Sequence, residues 1–379
     1  MSLAVLDPAA LARDLALPDL TDPDAAPGHA LQLLVDTAVS ALAHDWRAER
    51  RIVRAHPIVS LDDNYDRLGF AADAVTRDAR YSRYVSDTRL LRTHTSALVP
   101  PALRRLAAEG ADRPRDVLLA CPGMVYRRDA IDRLHTGTPH QLDLWRVAAC
   151  RLTTDDLRSM IATVVGAVLP GRTWRVTAAV HPYTEHGLQI DVAADGEWVE
   201  IGECGLAAPA VLAGAGLDAP THVSGLAMGL GLDRLLMLRK GIPDIRLLRS
   251  DDPRVADQMK DLAPYRPVSS HPPIRRDLSI AVEGAPGEEE LGDVVREALD
   301  DDAAAVEVVQ IVSDTAGDDL PEAARQRLGL LPGQRNLLVR IVLRHVDRTL
   351  TDAEANALRD RIYGAVHQGT VHQWAVPSG

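Results

Sequence analysis

The sequence predicts an α+β protein, in which a mostly antiparallel sheet flanked by helices is followed by a smaller ferredoxin-like domain. Up to residue 205, several strand-like runs alternate with two long amphipathic helices, at 31–46 and 155–168. No Gly-x-Gly-x-x-Gly run opens a helix after a first strand, which argues against a dinucleotide-binding parallel sheet. Residues 269–379 follow the order β-α-β-β-α-β, which is that of a ferredoxin-like fold.

Composition limits the classes of function. The chain has 379 residues, of which 46% are apolar and 25% charged, and a formal net charge of −12. Such an acidic balance argues against a non-specific nucleic-acid binder, so no DNA partner is expected and any RNA contact needs a local basic face. The three cysteines stand far apart, which indicates a reducing compartment without structural zinc. No run approaches the ~20 apolar residues of a membrane span, so a cytoplasmic location is expected.

Proline clusters and periodicity suggest the domain boundaries. Four segments are predicted: an N-terminal extension at 1–27, a core at 28–250, a linker at 251–268 and a second domain at 269–379. Within the core, residues 51–61 form an extended run interrupted by Pro57, which favours an edge strand. A helix is predicted at 99–110, and strands follow at 173–184, 189–192 and 197–205.

The stretch 124–147 carries the first chemical signal. Val125 and Tyr126 are predicted to start a strand, and the chain returns as a strand from residue 140. Between them lies Arg127-Arg128-Asp129. A guanidinium group binds phosphate oxygens in pairs and a carboxylate can accept from an amino group, so the run suits a nucleotide. Taken alone, such a run is more often a set of solvated loop charges.

A second stretch, 225–246, carries the other signal. Gly225, Gly229 and Gly231 stand at alternate positions in a strand, where something must approach the backbone closely. An apolar helix bearing Arg234 follows directly. The two signals lie about a hundred residues apart in the sequence.

Together these stretches resemble motifs two and three of the class II aminoacyl-tRNA synthetases. The order of segments is most similar to the alpha chain of phenylalanyl-tRNA synthetases: Arg-Thr-His-Thr-Ser at 92–96, the hairpin ending in His140 and Gln141, and Gly-Ile-Pro-Asp-Ile-Arg at 241–246. The segments 271–282 and 346–354 resemble the ferredoxin-fold anticodon-binding domain that ends the beta chain of that family. Core and anticodon-type domain in one chain is similar to the single-chain organellar layout.

The resemblance implies ATP and Mg²⁺ as cofactors, with residue roles that follow the family pattern. Arg127 would hold the α-phosphate, Asp129 would meet the adenine, and Arg234 would stack on adenine or reach the γ-phosphate. Glu200 matches an acid that helps hold Mg²⁺, although an exposed strand acid is an equally good interpretation. Pro57 matches the interface proline of motif one, which implies a homodimer; an ordinary edge strand explains it equally well.

The resemblance also implies an amino-acid pocket. His94 and Ser96 would face the amino acid, Gln141 and Asp143 would bind its α-amino group, and Ala227 and Gly229 would form the floor. This floor keeps the volume of the family's pocket.

Three residues depart from the family's side-chain pocket. His181 and Tyr183 replace two phenylalanines, and Glu203 replaces an apolar residue or glycine. These groups form hydrogen bonds, so the pocket should favour a substrate with a polar partner. Tyr183 could also turn its hydroxyl to water and leave the pocket aromatic.

The acceptor of the activated amino acid stays open at this point. Residues 268–379 contain 11 arginines and no lysine against 19 acids, a net charge of −8, whereas binding an RNA backbone needs local positive charge. A basic face is available at five arginines: Arg275, Arg276, Arg340, Arg344 and Arg348. Transfer to tRNA is the leading expectation. Transfer to a carrier protein or small amine, and a non-catalytic regulatory role, are the alternatives.

Overall fold

The computed structural model describes residues 5–78, 81–110, 115–128, 132–217, 223–268, 271–345 and 348–372. The chain divides into two compact units. The first contains Met1–Arg127, Thr138–Ile242 and Gln258–Tyr265, and the second contains Arg128–Gly137, Pro243–Asp257 and Arg266–Gly379. The domain limits expected from the sequence remain a prediction.

A seven-stranded sheet organises the first unit. Its strands are β1 (Glu49–Ile52), β4 (Asp116–Met124), β5 (His140–Ala148), β6 (Trp174–Ala178), β7 (Thr184–Ala194), β8 (Glu197–Ala207) and β9 (Ser224–Gly231). The spatial order is β1-β4-β5-β9-β8-β7-β6, with β1 and β4 parallel and every other neighbouring pair antiparallel. A two-stranded ribbon joins β2 (Ile58–Ser60) to β3 (Arg89–Leu91). The predicted mostly antiparallel α+β class is confirmed.

Helices cover this sheet. They are α1 (Pro8–Ala16), α2 (Ala30–Trp46), α3 (Leu61–Asn64), α4 (Val99–Ala108), α5 (Thr154–Val168), α6 (Pro209–Gly214) and α7 (Leu232–Lys240). The apolar stripes of α2 and α5 pack on each other and on the sheet, while α4 and α6 pack over Leu119, Trp145 and Ala227. With helices on both faces, β4 is buried along almost its whole length, so its sequence shows no alternation.

The hairpin strand begins earlier than the sequence suggested. Val125 and Tyr126 do not start a strand, because β4 ends at Met124. Pro122 is tolerated inside β4 since β1 pairs only as far as Ala120, and the missing N–H group of the proline therefore interrupts no ladder bond. Past Met124 the chain leaves the ladder, and the Tyr126 N–H donates to the Arg92 carbonyl (2.9 Å).

The N-terminal residues pack on this core. Leu20 and Thr21 are buried, and the Asp19 carboxylate accepts from the Met124 N–H (2.9 Å). The Arg54 guanidinium donates to the Thr21 carbonyl (2.6 Å). Residues ahead of α2 therefore buttress the strand end from which the hairpin loop departs.

The second unit is a smaller α+β body. Its elements are α8 (Pro253–Ala256), β10 (Ile274–Glu283), α9 (Glu288–Leu299), β11 (Val306–Ala316), α10 (Glu322–Leu328), β12 (Gln334–Leu343) and α11 (Asp352–Val366). The antiparallel sheet has the order β10-β12-β11, and α9 and α11 close its core. No fourth strand follows α11 in the residues described up to 372, although the Gln368 N–H donates to the Ala281 carbonyl of β10 (2.8 Å). The rest of the predicted last strand lies outside the described residues.

Within the described ranges, none of the helices combines the length and the apolar character needed to cross a lipid bilayer.

Candidate active site

A groove on the sheet of the first unit brings together most of the residues that the sequence singled out. Asp143 on β5 pairs with Gly229 on β9, and Gly229 pairs with Glu203 on β8. Gly229 leaves the floor open between the two acids: a Cβ atom placed there would lie 3.9 Å from the nearer carboxylate oxygen of Asp143. Ala227 continues the floor one pleat further along β9. The groove is therefore bounded by carboxylates on two strands.

Asp143 is the buried acid of the groove, with 3% exposure. Its oxygens accept hydrogen bonds from the hydroxyls of Thr95 (2.7 Å) and Ser96 (2.9 Å). Burial raises the pKa of Asp143 above its usual range in spite of these bonds. A cation brought to this carboxylate would offset the cost of burying its charge.

The segment 92–96 is fixed against the sheet. Arg92 is buried and donates to the carbonyls of Met124 (2.7 Å) and Ala55 (3.0 Å). The Thr95 N–H donates to the Gln141 side-chain oxygen (3.3 Å). Gln141 and Asp143, which point to the same side of β5, thus both hold this segment.

His94 presents two unsatisfied nitrogen atoms. Burial and the charge of Arg127 lower the pKa of His94 to about 3, so its ring is neutral at physiological pH. Nδ1 and Nε2 are both buried, and neither has a hydrogen-bond partner in the described residues. Buried polar atoms are nearly always paired in folded proteins, so these two atoms are suited to a bound substrate.

Arg127 lies at the edge of the groove. Its Nε donates to the Thr93 carbonyl (2.8 Å), which fixes the base of the guanidinium group. Burial raises the pKa of Asp143 and of Glu200, and the charge of Arg127 partly opposes this effect at both acids, which lie on separate strands. Asp129, the predicted adenine contact, lies outside the described residues.

A bulge in β8 brings Glu200 to the groove face. In a regular strand, residues 200 and 203 would lie on opposite faces. The register shifts at Ile201, so that Glu203 pairs with Gln189 and Glu200 pairs with Asp191. Because these two partners are two residues apart in β7, both acids lie on the same face of the sheet. Partial burial and the charge of Glu203 raise the pKa of Glu200. A bound cation would offset the cost of charging Glu200 in this position.

Helix α7 begins directly after the glycine strand, and a buried pair attaches it to the hairpin. Arg234 in its first turn donates to the Glu200 carbonyl (3.3 Å). The neighbouring Asp233 binds the buried His140, with 2.8 Å between its Oδ1 and the Nδ1 of the histidine. Nε2 of His140 accepts from the Leu20 N–H (3.2 Å), so Nδ1 carries the proton.

Aromatic rings line one end of the groove. Tyr183 stacks on Trp145, with ring centroids 6.3 Å apart, and burial together with the charge of Asp143 raises the pKa of Tyr183. Phe70 lies 6.1 Å from Tyr183 and stacks on His94 at 5.6 Å. His181 does not meet the groove as a free polar group, because its Nε2 pairs with Oε2 of Glu203 (2.5 Å).

The family profile described as tRNA synthetases class II core domain matches residues 49–259, more than half of the chain and all of the groove. The chain belongs to the class II tRNA synthetases. The resemblance inferred from the ordered motifs is thereby confirmed.

Curated relatives of this class II chain carry phenylalanine names. A phenylalanine–tRNA ligase alpha subunit from Prochlorococcus marinus is 37% identical over 195 residues, which cover 52% of this chain and 56% of the relative. The corresponding subunit from Nostoc punctiforme is 33% identical over the same shares. The chain thus spans little more than half the length of these relatives. The mitochondrial phenylalanine–tRNA ligase of Saccharomyces cerevisiae is 27% identical, with 81% of this chain and 79% of the relative aligned.

Sequence reasoning missed several contributors to this class II groove. Phe70 is the single phenylalanine of the chain, and it packs on His94 from a loop that showed no periodicity. Thr95 stood within the quoted Arg-Thr-His-Thr-Ser run, but its bond to Asp143 depends on a contact between distant segments. The rarity of phenylalanine was the one signal that could have drawn attention to position 70.

The arginines expected to form a basic face on the second unit are mostly paired with acids. Arg276 lies 3.1 Å from Asp352, and the remaining pairs are Arg340 with Asp277 (2.8 Å), Arg344 with Glu307 (2.7 Å) and Arg348 with Glu354 (2.8 Å). Of the five, Arg275 alone has no acidic partner among the described residues. Four of the five positive charges are therefore paired with acids.

Proposed function

We propose that the chain activates an aromatic amino acid with ATP and transfers it to tRNA. The observation that carries this proposal is the convergence in one groove of a cation, Arg127, and a buried acid, Asp143, beside an open glycine floor. The ammonium group of an amino acid complements the charge of Asp143, and the phosphates of ATP complement that of Arg127. Phenylalanine is the reference substrate, because the curated relatives are named for it.

In the first step, a carboxylate oxygen of the amino acid attacks the α-phosphorus of ATP. A bond forms between that oxygen and phosphorus, the bond to the bridging oxygen breaks, and pyrophosphate leaves with the electron pair. No protein nucleophile is needed, so catalysis consists of positioning and charge stabilisation. Arg127 would stabilise the α-phosphate, Asp143 and Gln141 would hold the α-ammonium group, and Arg234 would bind the adenine or the γ-phosphate.

Glu200 would hold Mg²⁺. In the part of the chain that the structure describes, no cluster of three or more metal-binding side chains occurs. Mg²⁺ bound with a nucleotide needs only one or two carboxylates, because phosphates and water supply its other ligands. The Glu200 carboxylate fits that role, because partial burial and the charge of Glu203 raise its pKa and the described residues give its side chain no hydrogen bond. When bound, the ion would neutralise charge on the phosphates.

In the second step, a terminal hydroxyl of tRNA attacks the mixed anhydride and AMP leaves. The mitochondrial phenylalanine–tRNA ligase of Saccharomyces cerevisiae aligns with 81% of this chain, which favours tRNA as the acceptor. Transfer to a carrier protein and a purely regulatory role gain no comparable support. We also expect a homodimer and a cytoplasmic location.

The test is acylation of total tRNA with labelled amino acid in the presence of ATP and Mg²⁺. Labelled tRNA should form with the wild-type chain and fall at least about 100-fold with Arg234→Ala, because a charge that binds nucleotide is removed. Arg158→Ala removes an exposed arginine from α5 and serves as the matched control. Unchanged acylation in Arg234→Ala would contradict the assigned role of this helix.

A further inference from the structure

The groove contains a third carboxylate, that of Glu203, which the proposed reaction does not use. Glu203 lies across Gly229 from Asp143, and two strand spacings of about 4.8 Å separate their backbones. One amino acid has one α-ammonium group. Asp143 is the buried partner for that group, so Glu203 remains available for another part of the substrate.

His181 holds Glu203 in a fixed orientation. Nε2 of the imidazole lies 2.5 Å from Oε2 of Glu203, and the Thr184 hydroxyl lies 3.3 Å from Nδ1. Both ring nitrogens are therefore engaged. Oε1 of Glu203 has no hydrogen-bond partner in the ranges that the structure describes, and the side chain is 39% exposed.

The surroundings of this carboxylate are aromatic. The His181 ring lies 5.6 Å from Tyr183, and Phe70 and His94 continue the aromatic surface. Burial raises the pKa of Tyr183, and the charges of Asp143 and Glu203 add to this effect. An aromatic side chain bound here would pack on rings and bring its edge near Glu203.

We infer that Glu203, positioned by His181, is a specificity determinant that accepts a hydrogen bond from the substrate side chain. The preferred substrate is then an aromatic amino acid whose ring carries a hydroxyl or amino group. Bound phenylalanine would displace water from the Glu203 carboxylate without offering it a hydrogen-bond donor, and this desolvation costs binding free energy. This inference rests on the proposed activation of an amino acid.

The test compares kcat/KM for amino-acid-dependent pyrophosphate exchange with phenylalanine, tyrosine, meta-tyrosine and 4-aminophenylalanine. In the wild-type chain, one donor-bearing amino acid should exceed phenylalanine by at least about 100-fold, because a site built to bind a hydroxyl rejects the analogue without it. In Glu203→Ala that ratio should fall by at least about tenfold. Glu197→Ala removes an exposed acid from the same strand and should leave the ratio unchanged.

His181→Phe provides the positioning control. It leaves the carboxylate but removes its support, so KM should rise for the donor-bearing substrate and stay nearly constant for phenylalanine. Cooperative melting of each variant establishes that it folds. If His181 had a purely structural role, its replacement would change KM for both substrates alike, and that result would contradict its part in the inference.

Three other results are distinguishable. A wild-type preference for phenylalanine that Glu203→Ala does not alter would overturn the inference and leave the proposed function intact. If Glu203→Ala lowers kcat/KM equally for all substrates and raises the Mg²⁺ concentration that the reaction requires, Glu203 is a metal ligand and the inference is overturned as well. The absence of pyrophosphate exchange with every amino acid of the panel, in a chain that melts cooperatively, would contradict amino-acid activation itself.

Discussion

At the scale of single residues, the groove combines groups whose charges are costly without a substrate. Asp143 is buried and accepts hydrogen bonds from the hydroxyls of Thr95 and Ser96, while the described residues offer neither buried nitrogen of His94 a hydrogen-bond partner. Such arrangements lower stability and are retained at sites where a ligand completes them. The sequence pointed to both residues through their family segment. It could not show that Asp143 is buried, because burial depends on how α4 and the sheet pack.

Asp143→Asn should separate stability from activity. The amide keeps the shape, and the hydroxyls of Thr95 and Ser96 can either donate to it or accept from it. We expect Tm at pH 7 to rise by about 2–4 °C, the shift that a gain of about 1 kcal/mol produces in a domain of this size. Amino-acid activation should fall by at least about 100-fold, because the charge that holds the ammonium group is lost.

The sign of the pH dependence provides a control for this variant. The folded chain binds the Asp143 proton more tightly than the unfolded chain does, because the pKa is raised above 3.8. Proton binding by Asp143 therefore stabilises the folded wild-type chain at low pH, and this stabilisation is lost as the pH rises through the pKa of the folded state. The advantage of Asp143→Asn should shrink as the pH falls toward 4. An advantage that grows on acidification would contradict the burial of a charged Asp143.

At the scale of elements, strand β9 and the bulge of β8 build the groove. The glycine pattern correctly predicted a close approach to β9, and the hairpin strand from residue 140 was also predicted. The bulge was not predictable, since simple alternation separates Glu200 from Glu203 and one extra residue reverses that result. Phe70 was missed for a related reason, as its packing arises between segments distant in the sequence.

Two glycine substitutions on neighbouring strands test this geometry. In Gly229→Ala the new methyl group would sit at ordinary contact distance from Asp143, so Tm should not change while KM for the amino acid rises at least about tenfold. In Gly202→Ala the methyl group would overlap the Gly229 carbonyl oxygen and press on Leu230. We expect a loss of about 2–3 kcal/mol in the free energy of unfolding for that variant. Urea denaturation and exchange kinetics distinguish the two, and equal destabilisation by both would contradict an open groove floor.

At the scale of the whole molecule, the chain has an exposed strand edge and an acidic second unit. The β1 strand forms one edge of the large sheet, and Ile52 on it is 50% exposed. An unpaired edge with an apolar side chain favours association. Composition predicted the absence of a broadly basic surface, whereas the pairing of the individual arginines with acids required the structure.

Light scattering should therefore give a mass of about 82 kDa, twice the 41.0 kDa of one chain. Ile52→Asp places a charge on the exposed edge and should shift the population to 41.0 kDa without lowering Tm, because the side chain is half exposed in one chain. A wild-type mass of 41.0 kDa at micromolar concentration would contradict the homodimer.

The central claim is amino-acid activation in the groove, and the exchange of labelled pyrophosphate into ATP tests it most directly. The exchange needs neither tRNA nor the second step, so it isolates the chemistry assigned to Arg127 and Asp143. The account predicts exchange that depends on an aromatic amino acid, and a loss of at least about 100-fold in Arg127→Ala. Exchange that persists at the wild-type rate in Arg127→Ala, or no exchange with any amino acid in a folded chain, would contradict it.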